Sequence, residues 1–147
     1  MKNLKITLAT VLLGIGSIFG QDISAKDVPS VILNKFQKAH PKAYSIEWEK
    51  ENGNYKVDFE TGLGKDHKIW YDESASIIRE KEDLSKSSLP KVIIDQLNKD
   101  YSKYKVDDVS KITENGTTRY KVELDSFTKD LKLTFDSSGK IISTVED

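Results

Sequence analysis

The sequence predicts an α+β fold of two tandem units, each one helix followed by an antiparallel meander of about four strands, with both helices on one face of the sheet. Three observations predict it: a phrase that recurs about 60 residues later, a change of apolar period from 3.6 to 2 inside each copy, and an Asn-Gly pair at the same point of both. Val28-Pro29-Ser30-Val31-Ile32-Leu33 with Phe36 aligns with Leu89-Pro90-Lys91-Val92-Ile93-Ile94 with Leu97 at a shift of 61. Asn52-Gly53 aligns with Asn115-Gly116 at 63, Tyr55-Lys56-Val57-Asp58-Phe59 with Tyr120-Lys121-Val122-Glu123-Leu124 at 65, and Asp72 with Asp136 at 64. The order of features never changes, so residues 21–84 and 85–147 read as copies of one unit.

The chain opens with Lys2 and Lys5 ahead of an uncharged run from Ile6 to Gly20, the pattern of a secretory signal peptide over residues 1–20. The run is about five residues short of the roughly 20 needed to span a bilayer, so an exported product without a stable membrane anchor is expected, periplasmic or secreted. Cleavage is expected after Gly20, with Ala25 as the second choice. Removing 20 of 147 residues leaves 127, one ordinary domain or two small units sharing a core.

Each unit then begins with helix signals. Asp27 and Ser88 are placed to cap, a proline follows in the first turn, and Val28, Val31, Ile32, Phe36 and Ala39 form one apolar stripe, matched by Leu89, Val92, Ile93 and Leu97. Pro41 stops the first helix near His40. Past the helices, Tyr55, Val57 and Phe59 alternate with Lys56, Asp58 and Glu60, and Tyr120, Val122 and Leu124 do the same, as strands with one wet face. Asn-Gly supplies the positive φ that a two-residue hairpin needs, so each pair joins two strands. Ile69 with Tyr71 and Leu133 with Phe135 mark third strands, and fourth strands begin at Ile77 or Ile141. The charged, serine-rich residues 80–88 are expected as the connection between units.

These motifs, "VPSVILNKF", "HPKA", "NYKVDF" and "LPKVIIDQL", duplicated behind a signal peptide and without cysteine, resemble the exported PepSY-like proteins, and more narrowly the bacterial group described as beta-lactamase-inhibitor-like. The resemblance covers residues 27–147. It implies an exported, non-enzymatic binding module, with protein inhibition as one form of that role.

The residues themselves point away from catalysis. The chain has no cysteine, no glycine-rich phosphate loop and no Gly-x-Ser-x-Gly, so no catalytic residue, metal site or cofactor is assigned. His40 is expected to complement a helix C-terminus and His67 to lie on the surface. After loss of Lys2 and Lys5 the balance is 21 basic against 24 acidic residues, which gives no positive face for nucleic acid. Trp48 alternates with Ile46 and is expected in the core. In the strand Lys68-Ile69-Trp70-Tyr71-Asp72, alternation places Trp70 on the wet face, where the second copy has Thr134. A tryptophan rimmed by Lys68, Lys56 and Asp58 is an expected anchor for a protein or peptide in the cell envelope. A module sensing a small ligand or cation is the second reading.

Overall fold

The computed structural model describes residues 20–147; the expected signal peptide lies outside the described residues apart from Gly20. Nine strands form one antiparallel sheet whose spatial order is the chain order: β1 (Gln21–Ile23), β2 (Tyr44–Glu51), β3 (Asn54–Thr61), β4 (Lys65–Tyr71), β5 (Ile77–Asp83), β6 (Lys105–Glu114), β7 (Thr117–Asp125), β8 (Leu131–Asp136) and β9 (Ile141–Glu146). Helix α1 (Ser30–Ala39) lies between β1 and β2, and α2 (Lys91–Asp100) between β5 and β6. Each helix is thus followed by four strands. Among the described residues no helix is long and apolar enough to cross a membrane.

The helices start later than the sequence suggests. Asp27 and Ser88 end short 3-10 turns (Ala25–Asp27 and Lys86–Ser88), and neither caps; Pro29 and Pro90 occupy the N-cap positions. An N-cap residue needs an extended backbone, which proline's fixed φ supplies at −53° and −52°. The Pro29 carbonyl accepts from the N–H groups of Ile32 and Leu33, and that of Pro90 from Ile93 and Ile94. The buried stripe is also narrower than expected. Val28, Ile32 and Phe36 face the sheet, as do Leu89, Ile93 and Leu97, while Val31 and Val92 are 55% and 50% exposed. A strict i, i+4 line fills the contact, so the residue one step before Ile32 or Ile93 turns to solvent.

One strand escapes the sequence reading, and another runs further than expected. β1 is three residues long, too short for any period to show, and is held by pairing Gln21, Asp22 and Ile23 with Lys50, Glu49 and Trp48. β5 begins at Ile77 as expected but takes up residues 80–83 of the expected connection; their charges hid the extension, because Glu80 and Glu82 sit on the helix side and Arg79 and Lys81 on the other.

The Asn-Gly hairpins form as expected, with φ of 50° and 83° at Asn52 and Gly53 and 48° and 78° at Asn115 and Gly116. The pairing registers place Val57, Ile69, Val109, Val122 and Leu133 on one face, and both helices pack there. Under α1, Phe36 meets Trp48 and Phe59 edge-on at centroid distances of 5.4 and 5.0 Å, contacts of about 0.5–1.5 kcal/mol each beyond simple burial. Between the two apolar clusters the helix-side face turns polar, with Glu80 and Glu82 of β5 opposite Thr113 and Lys111 of β6.

Candidate functional site

The face away from the helices is charged and aromatic. One row across it runs Glu49, Lys56, Trp70, Arg79, Glu114, Thr117, each paired with the next across adjacent strands. The neighbouring row carries Glu47, Asp58, Lys68 and Lys81. Cross-strand neighbours on one face lie about 4.5–5.5 Å apart, so the side chains of a row are obliged to interact.

Trp70 projects onto this face as alternation requires, but it is half-buried and does not stand free. Its indole N–H donates to Glu51 Oε2 at 2.7 Å. The Arg79 guanidinium lies over the ring at 4.7 Å, and Lys56 Nζ stands 6.0 Å from its centroid. Such cation–π contacts are worth about 0.5–2 kcal/mol. Stacking clamps the indole between two cations and leaves part of its surface in a depression of about 380 Å³. Glu51, Asn52, Asn54, Arg79, Glu114 and Asn115 line that depression with it. Asparagines of both Asn-Gly turns therefore border one site. Among the described residues the buried Arg79 Nε has no hydrogen-bond partner, so the guanidinium's stacking is not matched by full hydrogen bonding.

The other expected anchor residues form a chain of ion pairs leading away from Trp70. Lys56 Nζ is 2.9 Å from Glu49 Oε1 and 3.3 Å from Asp58 Oδ1, and Lys68 Nζ is 2.5 Å from Asp58 Oδ2. The contact to Oδ1 is an ion pair without hydrogen-bond geometry. Burial disfavours the Lys56 ammonium, yet its hydrogen bond to Glu49 and the charge of Asp58 outweigh this and raise its pKa. Lys56 reaches the Trp70 ring without lining the depression, and Asp58 and Lys68 line a separate hollow with Glu47 and Asp66. Sequence reasoning missed Arg79. The chain's two arginines, Arg79 and Arg119, both fall on this face, and Arg79 stands directly opposite Trp70.

The histidines belong to the helix side. His40 follows α1, but its ring packs on Phe36 and Phe59 at 5.4 and 4.7 Å, and burial lowers its pKa, so it adds little positive charge to the helix end. His67 is half-buried, stacked on Phe59 at 5.0 Å, with Nε2 2.7 Å from Thr61 Oγ1. Burial lowers its pKa too. Both corrections have one cause: Phe59 lies between the two rings and draws them against the core. Trp48 is buried, as its alternation suggests. Among the described residues no three His, Cys, Asp or Glu side chains are grouped to hold a metal ion.

The family model described as "Putative beta-lactamase-inhibitor-like, PepSY-like" matches residues 19–79 and 54–143. The chain belongs to this PepSY-like family. No curated protein matches it. Its fold is similar to three crystal structures from Bacteroides. A BLIP-like protein of Bacteroides fragilis is 23% identical with a TM-score of 0.65, over 80% of this chain and 85% of that one. A DUF2874 family protein of Bacteroides uniformis is 21% identical at 0.68, over 81% and 89%. A protein of Bacteroides eggerthii described as a putative periplasmic protein is 16% identical at 0.68, over 81% and 88%. At these identities the likeness establishes the PepSY-like fold, a mostly antiparallel sheet with two helices.

Proposed function

We propose that this PepSY-like protein is an exported, non-catalytic module that binds a protein or peptide of the cell envelope through its open sheet face. The observation that carries the reading is the Trp70–Arg79 stack at the floor of a depression bordered by both Asn-Gly turns. Tryptophan and arginine, here in a partly desolvated hollow that Glu51 and Glu114 also line, are the residue types that dominate interface energetics. The signal-peptide pattern of residues 1–20 and the periplasmic description of a structural relative support export. The repeated order of helix and four strands supports an origin from two copies, residues 21–84 and 85–147. The family's description makes inhibition of a hydrolase one form of this binding.

The test is a paired capture of envelope proteins on the immobilised parent and on Trp70→Thr, the residue found at Thr134, with circular dichroism to establish that the variant folds. A partner retained by the parent and lost by the folded variant supports the reading. Equal capture by both overturns it and moves the weight to small-ligand or cation sensing, read by thermal shifts with divalent cations and peptidoglycan fragments.

A further inference from the structure

On the outer side of β2, the three residues of β1 pair only with Trp48, Glu49 and Lys50. The chain then leaves the sheet through the turn Ala25–Asp27, so residues 44–47 of β2 are a sheet edge with no strand beside them among the described residues. Alternate residues of a strand turn N–H and C=O away from its one neighbour, and such an edge presents unpaired donors and acceptors. Beside it lies a cavity of about 560 Å³ whose apolar lining is Ile23, Ala25, Leu33, Phe36, Ile46 and Trp48.

The counterpart region around α2 is filled. The turns after the two helices match, Ala43 N–H donating to the His40 carbonyl at 3.1 Å and Tyr104 N–H to the Tyr101 carbonyl at 3.0 Å. After α2, Tyr101, Tyr104 and Val106 pack against the second apolar cluster, and Val109 is 3% exposed. After α1 the corresponding places hold His40, Ala43 and Ser45; Trp48, paired with Val57 as Val109 is with Val122, takes the place of Val109, while Ile46, at the place of the exposed Asp107, is 43% exposed. Ala43 and Ser45, smaller than Tyr104 and Val106, leave the apolar floor uncovered. Ser45 also adopts a φ of 50° where the register shifts between Tyr44 and Glu47. A bulge of this kind re-aims the side chains that follow it. Asp22 and Glu47 stand exposed on the cavity rim, and among the described residues neither is in an ion pair.

We propose that this edge is a peptide-binding site: an extended segment of a partner polypeptide pairs with residues 44–47 of β2 along the line of β1, seats one apolar side chain in the cavity, and sets lysine or arginine against Asp22 and Glu47. Backbone pairing gives the affinity, as in other strand-addition complexes, and the cavity and carboxylates choose the sequence. Alternation fixes the pattern. An apolar residue directed to the helix side has neighbours directed to the open side, where Asp22 and Glu47 belong by register, so the segment reads cationic–apolar–cationic. The cavity volume falls in the range of ligand pockets, roughly 300–1,000 Å³. The site is separate from the Trp70 depression and stands independently of it.

The test is a titration of the 15N-labelled protein with acetyl-Thr-Lys-Leu-Lys-Thr-amide, followed by amide chemical shifts. Saturable shifts confined to residues 22–25 and 44–48 are expected. Affinity should fall at least tenfold when the peptide's Leu becomes Ser, when its lysines become Glu, or when its backbone is N-methylated. Ile46→Glu should abolish binding; should that variant not fold, Glu47→Lys, at an exposed and unpaired position, should weaken it at least tenfold. Absence of saturable shifts, shifts mapping to β9 or to Trp70, or undiminished binding of the N-methylated peptide would overturn the proposal.

Discussion

Tyr71 offers a sharp test of how the first apolar cluster is assembled. The side chain is fully buried, its hydroxyl has no hydrogen-bond partner among the described residues, and the matching place in the second half of the chain holds the equally buried Phe135. Burial, with the charge of Glu80 added, pushes the phenol up to about 12 from its ordinary 10.0. A buried, unsatisfied hydroxyl costs about 1–3 kcal/mol. Tyr71→Phe removes that cost while giving up the few contacts of one oxygen, so a net gain of about 1 kcal/mol is expected, or roughly 3–5 °C in Tm for a domain of this size. A second effect appears at high pH. The unfolded phenol releases its proton near 10 and the folded one near 12, so the folded state holds more protons in that window and stability falls as pH rises through it. At about 1.36 kcal/mol per tenfold change in proton affinity, the parent loses up to roughly 2.7 kcal/mol across that window. Tyr71→Phe should lack this loss. Urea unfolding followed by tryptophan fluorescence between pH 7 and 11 measures both effects. A variant less stable than the parent at pH 7, or one with the same alkaline decline, would refute the reasoning and put a partner on the hydroxyl.

Gly53→Val and Gly116→Val place a β-branched residue at φ of 83° and 78° where its Cβ meets nothing within 4 Å. The loss is therefore backbone strain alone, about 1–2 kcal/mol each, and unchanged melting would contradict the hairpin assignment. His40 and His67 have pKa values lowered by burial, so below about 6.5 the unfolded chain binds more protons and stability falls as pH falls. His40→Tyr, the residue at Tyr101, combined with His67→Phe should flatten that dependence in melts from pH 7 to 5. Hydrogen bonds from the Ser74 and Ser138 hydroxyls hold Asp72 and Asp136 below the usual 3.8, a contribution present above that pH and lost as pH falls through the lower folded values. Ser74→Ala with Ser138→Ala should move acid unfolding, followed by circular dichroism, to higher pH.

The features legible in the sequence were those with a strong period or a special backbone. Tyr55-x-Val57-x-Phe59 and Asn52-Gly53 each specify one local geometry, and both appear as expected. β1 and the second half of β5 were illegible because pairing holds them: three residues carry no period, and Glu80 and Glu82 are charged residues on a helix-side face that the two clusters leave polar. The site was half legible. Alternation placed Trp70 on the open face, but its clamp by Arg79 depends on which residue of β5 stands opposite, and the register shift between Trp70 and Tyr71 decides that. Likewise the position of His67 gave no sign that the Phe59 ring would lie beneath it.

The uninterrupted strand order from β1 to β9 limits what a partner can touch. Adjacent strands rotate by roughly 20–25°, and Trp70 on β4 and Thr134 on β8 are four steps apart, so their outward directions diverge by about 80–100°. No flat surface can meet both. A rigid globular partner engages one end of the ribbon at a time, and only a chain able to coil with it can follow the whole face.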